Sequence, residues 1–227
     1  MEIGLGFRLC HATRLDEIDW FGDQTHGVAW AGTRMTVEGR CPEEMSASVV
    51  AADFHGDGIA DTWSPIDVFV HCEVWARTDL DANGAQELVV LLQGGTTPQY
   101  GFYSAVPEGL PRSSGIHSIS VAAPGAAAAG FPAGRPMKIW AGADEADSYA
   151  IRCEGASDER RVLVAASLHQ PVDTNTTEIH VTRLELRTSS DLVTSEFRIL
   201  DSVSPTESSE GFGGDAKACG VDFNPGA

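Results

Sequence analysis

Basic residues are scarce in this 227-residue chain. Lys and Arg number 15 against 33 Asp and Glu, a formal net charge of −18. Nucleic acid and anionic membrane surfaces are held by clustered Lys and Arg, so this balance argues against both as partners. No apolar run approaches the roughly 20 residues that a membrane-spanning helix needs. The opening segment from Met1 to Cys10 lacks the basic head and apolar stretch of a signal peptide. Few stretches sustain a helical period. Catalytic signatures are missing as well: there is no G-x-S-x-G elbow, no H-E-x-x-H and no phosphate-binding glycine loop. The cysteines form no C-x-x-C pair and no Cys/His cluster at zinc spacing.

What is present is a folded, turn-rich chain. Hydrophobic residues make up 42% and charged residues 21%, with 24 Gly and 11 Pro, which is globular rather than disordered composition. Short apolar runs punctuated by Gly, Pro, Asn, Asp and Ser predict strands, among them 28–32, 34–37, 68–75, 87–93, 100–106, 116–122, 149–153, 161–168 and 178–187. The fold class expected is all-β, with antiparallel sheets arranged like propeller blades or a sandwich. The length suits a repeat-bearing half, residues 1–110, packed as one domain with a second β half, residues 111–227. In the second half, Glu178–Arg187 and the residues after Thr188 read as a hairpin. A bulge near Thr182–Arg183 is expected, to keep Ile179, Val181, Leu184 and Leu186 on one face. Residues 122–135 read as a loop and 202–217 as a mobile arm.

Five dispersed cysteines, Cys10, Cys41, Cys72, Cys153 and Cys219, fit structural disulfides in an oxidising compartment. The expectation is therefore a secreted protein whose signal peptide is absent from the sequence in hand. Four cysteines allow three connectivities. The pairing expected here is Cys10–Cys41, flanking the first repeat, and Cys153–Cys219, anchoring the tail, with Cys72 left over and buried.

The chemistry lies in an internal repeat. Asp53-Phe-His-Gly-Asp-Gly-Ile-Ala-Asp61 and Asp79-Leu-Asp-Ala-Asn-Gly-Ala-Gln-Glu87 align without gaps. Both carry oxygen-bearing side chains at positions one, five and nine, and Gly at six. A degraded copy, Asp19-Trp-Phe-Gly-Asp-Gln-Thr-His-Gly27, keeps positions one and five only. Calcium takes six to eight oxygens and accepts irregular geometry, so a nine-residue loop of this pattern can wrap it. Positions twelve, Ser64 and Val90, are not the Glu of an EF-hand. Loops of this type leading into an apolar strand, here Leu88-Val-Val-Leu-Leu92, resemble the FG-GAP or VCBS repeats of integrin-like proteins.

The resemblance implies Ca2+ held by Asp53, Asp57 and Asp61 in one loop and by Asp79, Asp81, Asn83 and Glu87 in the other. The backbone carbonyls of Ile59 and Ala85 complete the two sets. His55 stands at a ligand position of the first loop, where an imidazole nitrogen serves calcium poorly. The upstream loop, lacking Gly at six and an acid at nine, is expected to bind nothing. The chain also resembles secreted proteins of high-GC Gram-positive bacteria, which implies a location and no activity. Two function classes follow. One is a non-enzymatic, calcium-stabilised binding or cell-surface module with a protein or carbohydrate ligand. The other is a secreted glycosidase-like hydrolase using an Asp/Glu pair, for which Asp144, Glu145 and Asp147 are candidates. The five Trp residues, at 20, 30, 63, 75 and 140, divide between core positions and a carbohydrate-facing surface.

Overall fold

The structure, a computed structural model, describes residues 8–36, 38–42, 48–66, 72–106, 115–123, 126, 129, 131–143, 147–155, 161–169, 178–188, 195–203 and 217–223. Most of the expected C-terminal arm lies outside these residues, as do Asp144 and Glu145 and the first part of the 68–75 strand.

Among the described residues the chain forms β-strands and no α-helix. They build three sheets. The first is a meander in sequence order, with β1 (Leu9–Asp19), β2 (His26–Arg34), β3 (Ser48–Asp53) and β4 (Thr62–Pro65). In the second, β6 (Glu87–Gln93) lies between β5 (Glu73–Thr78) and β7 (Gln99–Val106). The outer edge of β7 is shared by β8 (Gly115–Ser118) and β10 (Lys138–Trp140). Strands from both sides of residue 110 thus pair within one sheet. The third sheet runs through β11 (Gly142–Ala143), β12 (Asp147–Glu154), β13 (Val162–His169), β14 (Glu178–Thr188) and β15 (Ser195–Val203). It closes on β9 (Ser120–Val121), which pairs with β15 in parallel.

The sheets stack face to face, and the second is the middle layer. Alternate residues of β6 point to opposite sides. Leu88, Val90 and Leu92 join a core with Ala29, Ala31, Val50 and Ala52 of the first sheet. Val89 and Leu91 join another with Leu163, Leu184 and Phe197 of the third. This is why Leu88-Val-Val-Leu-Leu92 reads as an unbroken apolar run: both faces are buried, and the period-two signal of a half-exposed strand vanishes. Each large side chain so buried contributes about 1.5–3 kcal/mol.

Four strands escaped the sequence pattern: β1, β3, β4 and the two-residue β11. In β1, pairing with β2 shifts register between Cys10 and Thr13 and again between Leu15 and Ile18, with His11 and Glu17 at positive φ. Each bulge resets the alternation. β3 is rich in alanine, a weak strand former, and β4 ends at Pro65 on a sheet edge, where a missing N–H is harmless. The bulge expected in β14 lies instead in its partner. Arg183 pairs with Asp201 and Leu184 with Ile199, so Leu200 is the extra residue, and it is exposed. β14 runs regularly against β13. Thr182, Leu184 and Leu186 therefore share the buried face, while Val181 faces the other side, half-buried.

Two disulfides join Cys10 to Cys41 and Cys153 to Cys219, the pairing expected. Cys72 is free and buried. The second bridge holds the C-terminal segment against the third sheet. There the Cys219 carbonyl accepts hydrogen bonds from Thr78 Oγ1 at 2.7 Å and Arg161 at 3.0 Å. Trp75 donates to the Asp222 carbonyl and Tyr100 to that of Phe223.

Candidate metal-binding loops

All three repeat copies are hairpin connections. Copy one joins β1 to β2, the copy at 53–61 joins β3 to β4, and the copy at 79–87 joins β5 to β6. They share a backbone path. The position-one carboxylate turns back on its own loop in each. Asp19 accepts from Gly22, Asp23 and Gln24. Asp53 accepts from His55, Gly56 and Gly58, and Asp79 from Asn83 and Gly84. Position five forms the same Asx turn throughout: Asp23 accepts from Thr25, Asp57 from Ile59 and Asn83 from Ala85, at 2.7–2.9 Å. Position six has positive φ in each, +86° at Gly58 and +90° at Gly84. Gln24 reaches +67° despite its side chain.

Two further regularities of the repeat lie outside its pattern of oxygen-bearing positions. Position four is also left-handed in all three copies, at Gly22, Gly56 and Ala82, and small residues in that column were the available signal. Position two is buried in all three, as Trp20, Phe54 and Leu80, which pins each loop to the core.

Position nine closes the loop. Asp61 Oδ2 accepts from the Phe54 N–H at 2.6 Å, and Glu87 Oε2 from the Leu80 N–H at 2.8 Å. In the degraded copy this contact is replaced. A Cβ at Gly27 would lie 2.2 Å from the Asp53 carbonyl oxygen and 2.6 Å from Trp20 Nε1, so the Trp20 ring occupies the space a position-nine carboxylate needs. The Trp20 indole donates to the same Asp53 carbonyl at 3.3 Å.

In the third copy, oxygens of Asp79, Asp81 and Glu87 all lie within 4.8 Å of one another. Glu87 is only 2% exposed. Its carboxyl pKa is pushed well above the ordinary value, first by burial and then by the charges of Asp81 and Asp79. Asp81 is also buried, and its Oδ2 accepts from Asn83 Nδ2 at 3.1 Å and from Thr188 Oγ1 at 2.6 Å. Thr188 comes from the far end of β14, and no local pattern in the sequence signals it. Ala85, at position seven, follows the Asn83 turn.

In the copy at 53–61 the converging set is Asp53, His55 and Asp61, with His55 Nδ1 3.2 Å from Asp61 Oδ2. Asp57 is exposed, outside that set, and engaged with the Ile59 N–H; Ile59 itself is 57% exposed. The donor chemistry of the two loops therefore differs: oxygen only in one, oxygen with an exposed imidazole in the other.

The degraded copy lies between the other two. Asp19 and Gln86 exchange hydrogen bonds, Asp19 N–H to Gln86 Oε1 at 3.0 Å and Gln86 N–H to the Asp19 carbonyl at 2.7 Å. On the other side, Trp20 and Phe21 pack their rings on Phe54 at 5.7 and 5.1 Å. Comparison with family models, with curated proteins and with solved structures finds no match to this chain.

Proposed function

We propose that this chain is a non-enzymatic β-repeat module of the FG-GAP type, stabilised by calcium and working outside the cell as a binding or surface component. The observation that carries the reading is the trio Asp79, Asp81 and Glu87, gathered within 4.8 Å with Glu87 shut off from water. Burying a carboxylate beside two others costs free energy unless a cation or a proton offsets it. The donors are all oxygen, which suits a hard dication; zinc and copper favour nitrogen and sulfur. Calcium tolerates the irregular loop geometry better than magnesium, which demands a near-ideal octahedron. The ion's role on this reading is structural: it holds the β5–β6 hairpin at the centre of the stacked sheets. Two disulfides support an oxidising setting.

Thermal melting with calcium and with chelator tests the proposal. A ligand at 100 times its Kd stabilises by about 2.7 kcal/mol, worth roughly 2–4 °C per kcal/mol in a chain of this size. Asp81→Ala is expected to remove most of that gain, and His55→Asp to add a second, weaker one. Identical wild-type curves in both conditions would refute the calcium reading and remove the main support for the repeat assignment.

A further inference from the structure

We propose that the cavity between β10 and the third sheet is a binding site for an acidic oligosaccharide, its aromatic rings receiving sugar faces and its basic rim receiving the carboxylates. The cavity measures about 660 Å³, within the range of sites that hold drug-sized ligands. β13 opens it by changing from Val162-Leu-Val to Ala165-Ala-Ser167. The small side chains leave room between that strand and β10.

Three features of the lining converge on one ligand class. Trp140 and Tyr149 are half-buried and face the cavity, with ring centroids 6.1 Å apart and planes inclined by 33°. Aromatic faces of this kind, apolar in body and polar at one tip, suit the C–H faces of pyranose rings. His180 and Ser167 also line the cavity and match the dense hydroxyls of a sugar, which a purely apolar ligand would leave unused. Arg135 and Lys138 bring positive charge to the same wall. Lys138 is one of two lysines in the chain, and the protein's net charge is −18. Among the described lining residues there is no carboxylate. A cation exposed on this wall of so acidic a molecule, Arg135, points to an anionic ligand, and its planar fork suits a carboxylate. A long polyanion such as nucleic acid meets the repulsion of the remaining surface.

This inference names a ligand for the binding-module reading and rests on that reading, but its residues are separate from the repeat loops. Calorimetric titration of the full chain with trigalacturonate, its uncharged methyl ester and maltotriose tests it. Trigalacturonate is expected to bind, and the ester and maltotriose at least tenfold more weakly. Arg135→Ala, an exposed position where folding is not at risk, and Trp140→Ala are each expected to weaken binding at least tenfold. Absence of binding at millimolar trigalacturonate overturns the proposal. Equal affinity for acid and ester overturns its charge argument, and wild-type affinity in both variants overturns the placement. A protein that responds to calcium but ignores trigalacturonate sinks the cavity alone. One that binds trigalacturonate without a calcium response sinks the loop reading alone.

Discussion

Gly22 and Gly84 lie back to back: a Cβ on Gly22 would come within 2.8 Å of the Gly84 carbonyl carbon. One glycine belongs to the degraded copy and the other is position six of the acidic loop. The loop with the weakest claim to an ion thus serves as the wall against which the strongest candidate is built.

Gly22→Ala is therefore expected to destabilise the fold and to blunt the calcium response of the neighbouring loop. The substitution meets a backbone clash as well as the strain of φ +72°, together about 1–3 kcal/mol. Gly39→Ala supplies the control. Its φ is +76°, but nothing lies within 4 Å of the new methyl, so it carries the φ cost alone. Equal loss of Tm in the two variants would show that the contact between the copies contributes nothing.

Glu87→Gln separates the charge of the buried carboxylate from its hydrogen bond. The amide oxygen can still accept from the Leu80 N–H, while the repulsion from Asp79 and Asp81 is relieved. In chelator the variant is expected to melt above wild type, by roughly 2–4 °C for each kcal/mol relieved. With calcium its further gain is expected to shrink to a small fraction of the wild-type gain. A variant that melts lower in chelator and keeps the full calcium increment would contradict both the electrostatic account and the ligand role.

Cys72 gives a pH dependence with a defined sign. Burial pushes its thiol from 9.0 up to about 12. Above pH 9 the unfolded chain releases this proton while the folded chain keeps it. The contribution to stability is thus complete below pH 9 and is lost as pH rises toward 12, by up to about 1.4 kcal/mol per pH unit. Tyr100, whose hydroxyl is also pushed up by burial from 10.0, adds its own loss only at higher pH. Urea unfolding at pH 7, 9 and 10 checks the prediction. Cys72→Ala should be less stable than wild type at pH 7, and the difference should narrow by pH 10. A constant difference would show that the thiol is ionised equally in both states.

The sequence alone determined the all-β class and the nine-residue pattern within each loop, because each depends on local spacing or on residue chemistry that survives any packing. The cysteine pairing, by contrast, was one of several connectivities it allowed, and bridges 31 and 66 residues long were selected by the fold. Strands with clean apolar runs, such as Glu87–Gln93, were legible. β1 was not, since two bulges erase its alternation, and the bulge expected in β14 went to Leu200 of β15 because the pattern of one strand does not say which partner absorbs a mismatch. In the site, the positions of Asp79, Asp81 and Glu87 followed from spacing. Their burial, the supporting hydroxyl of Thr188 and the exclusion of Asp57 from the converging set did not. Those features depend on which surfaces meet when the three sheets stack, and contacts between residues as distant as Asp81 and Thr188 leave no periodic trace in the chain. The tertiary structure likewise decided the fate of the five tryptophans. Trp20 and Trp30 are buried, Trp75 packs at the core margin, Trp63 is exposed, and Trp140 is turned into the cavity beside β13, because burial is set by the partner surface each ring happens to face.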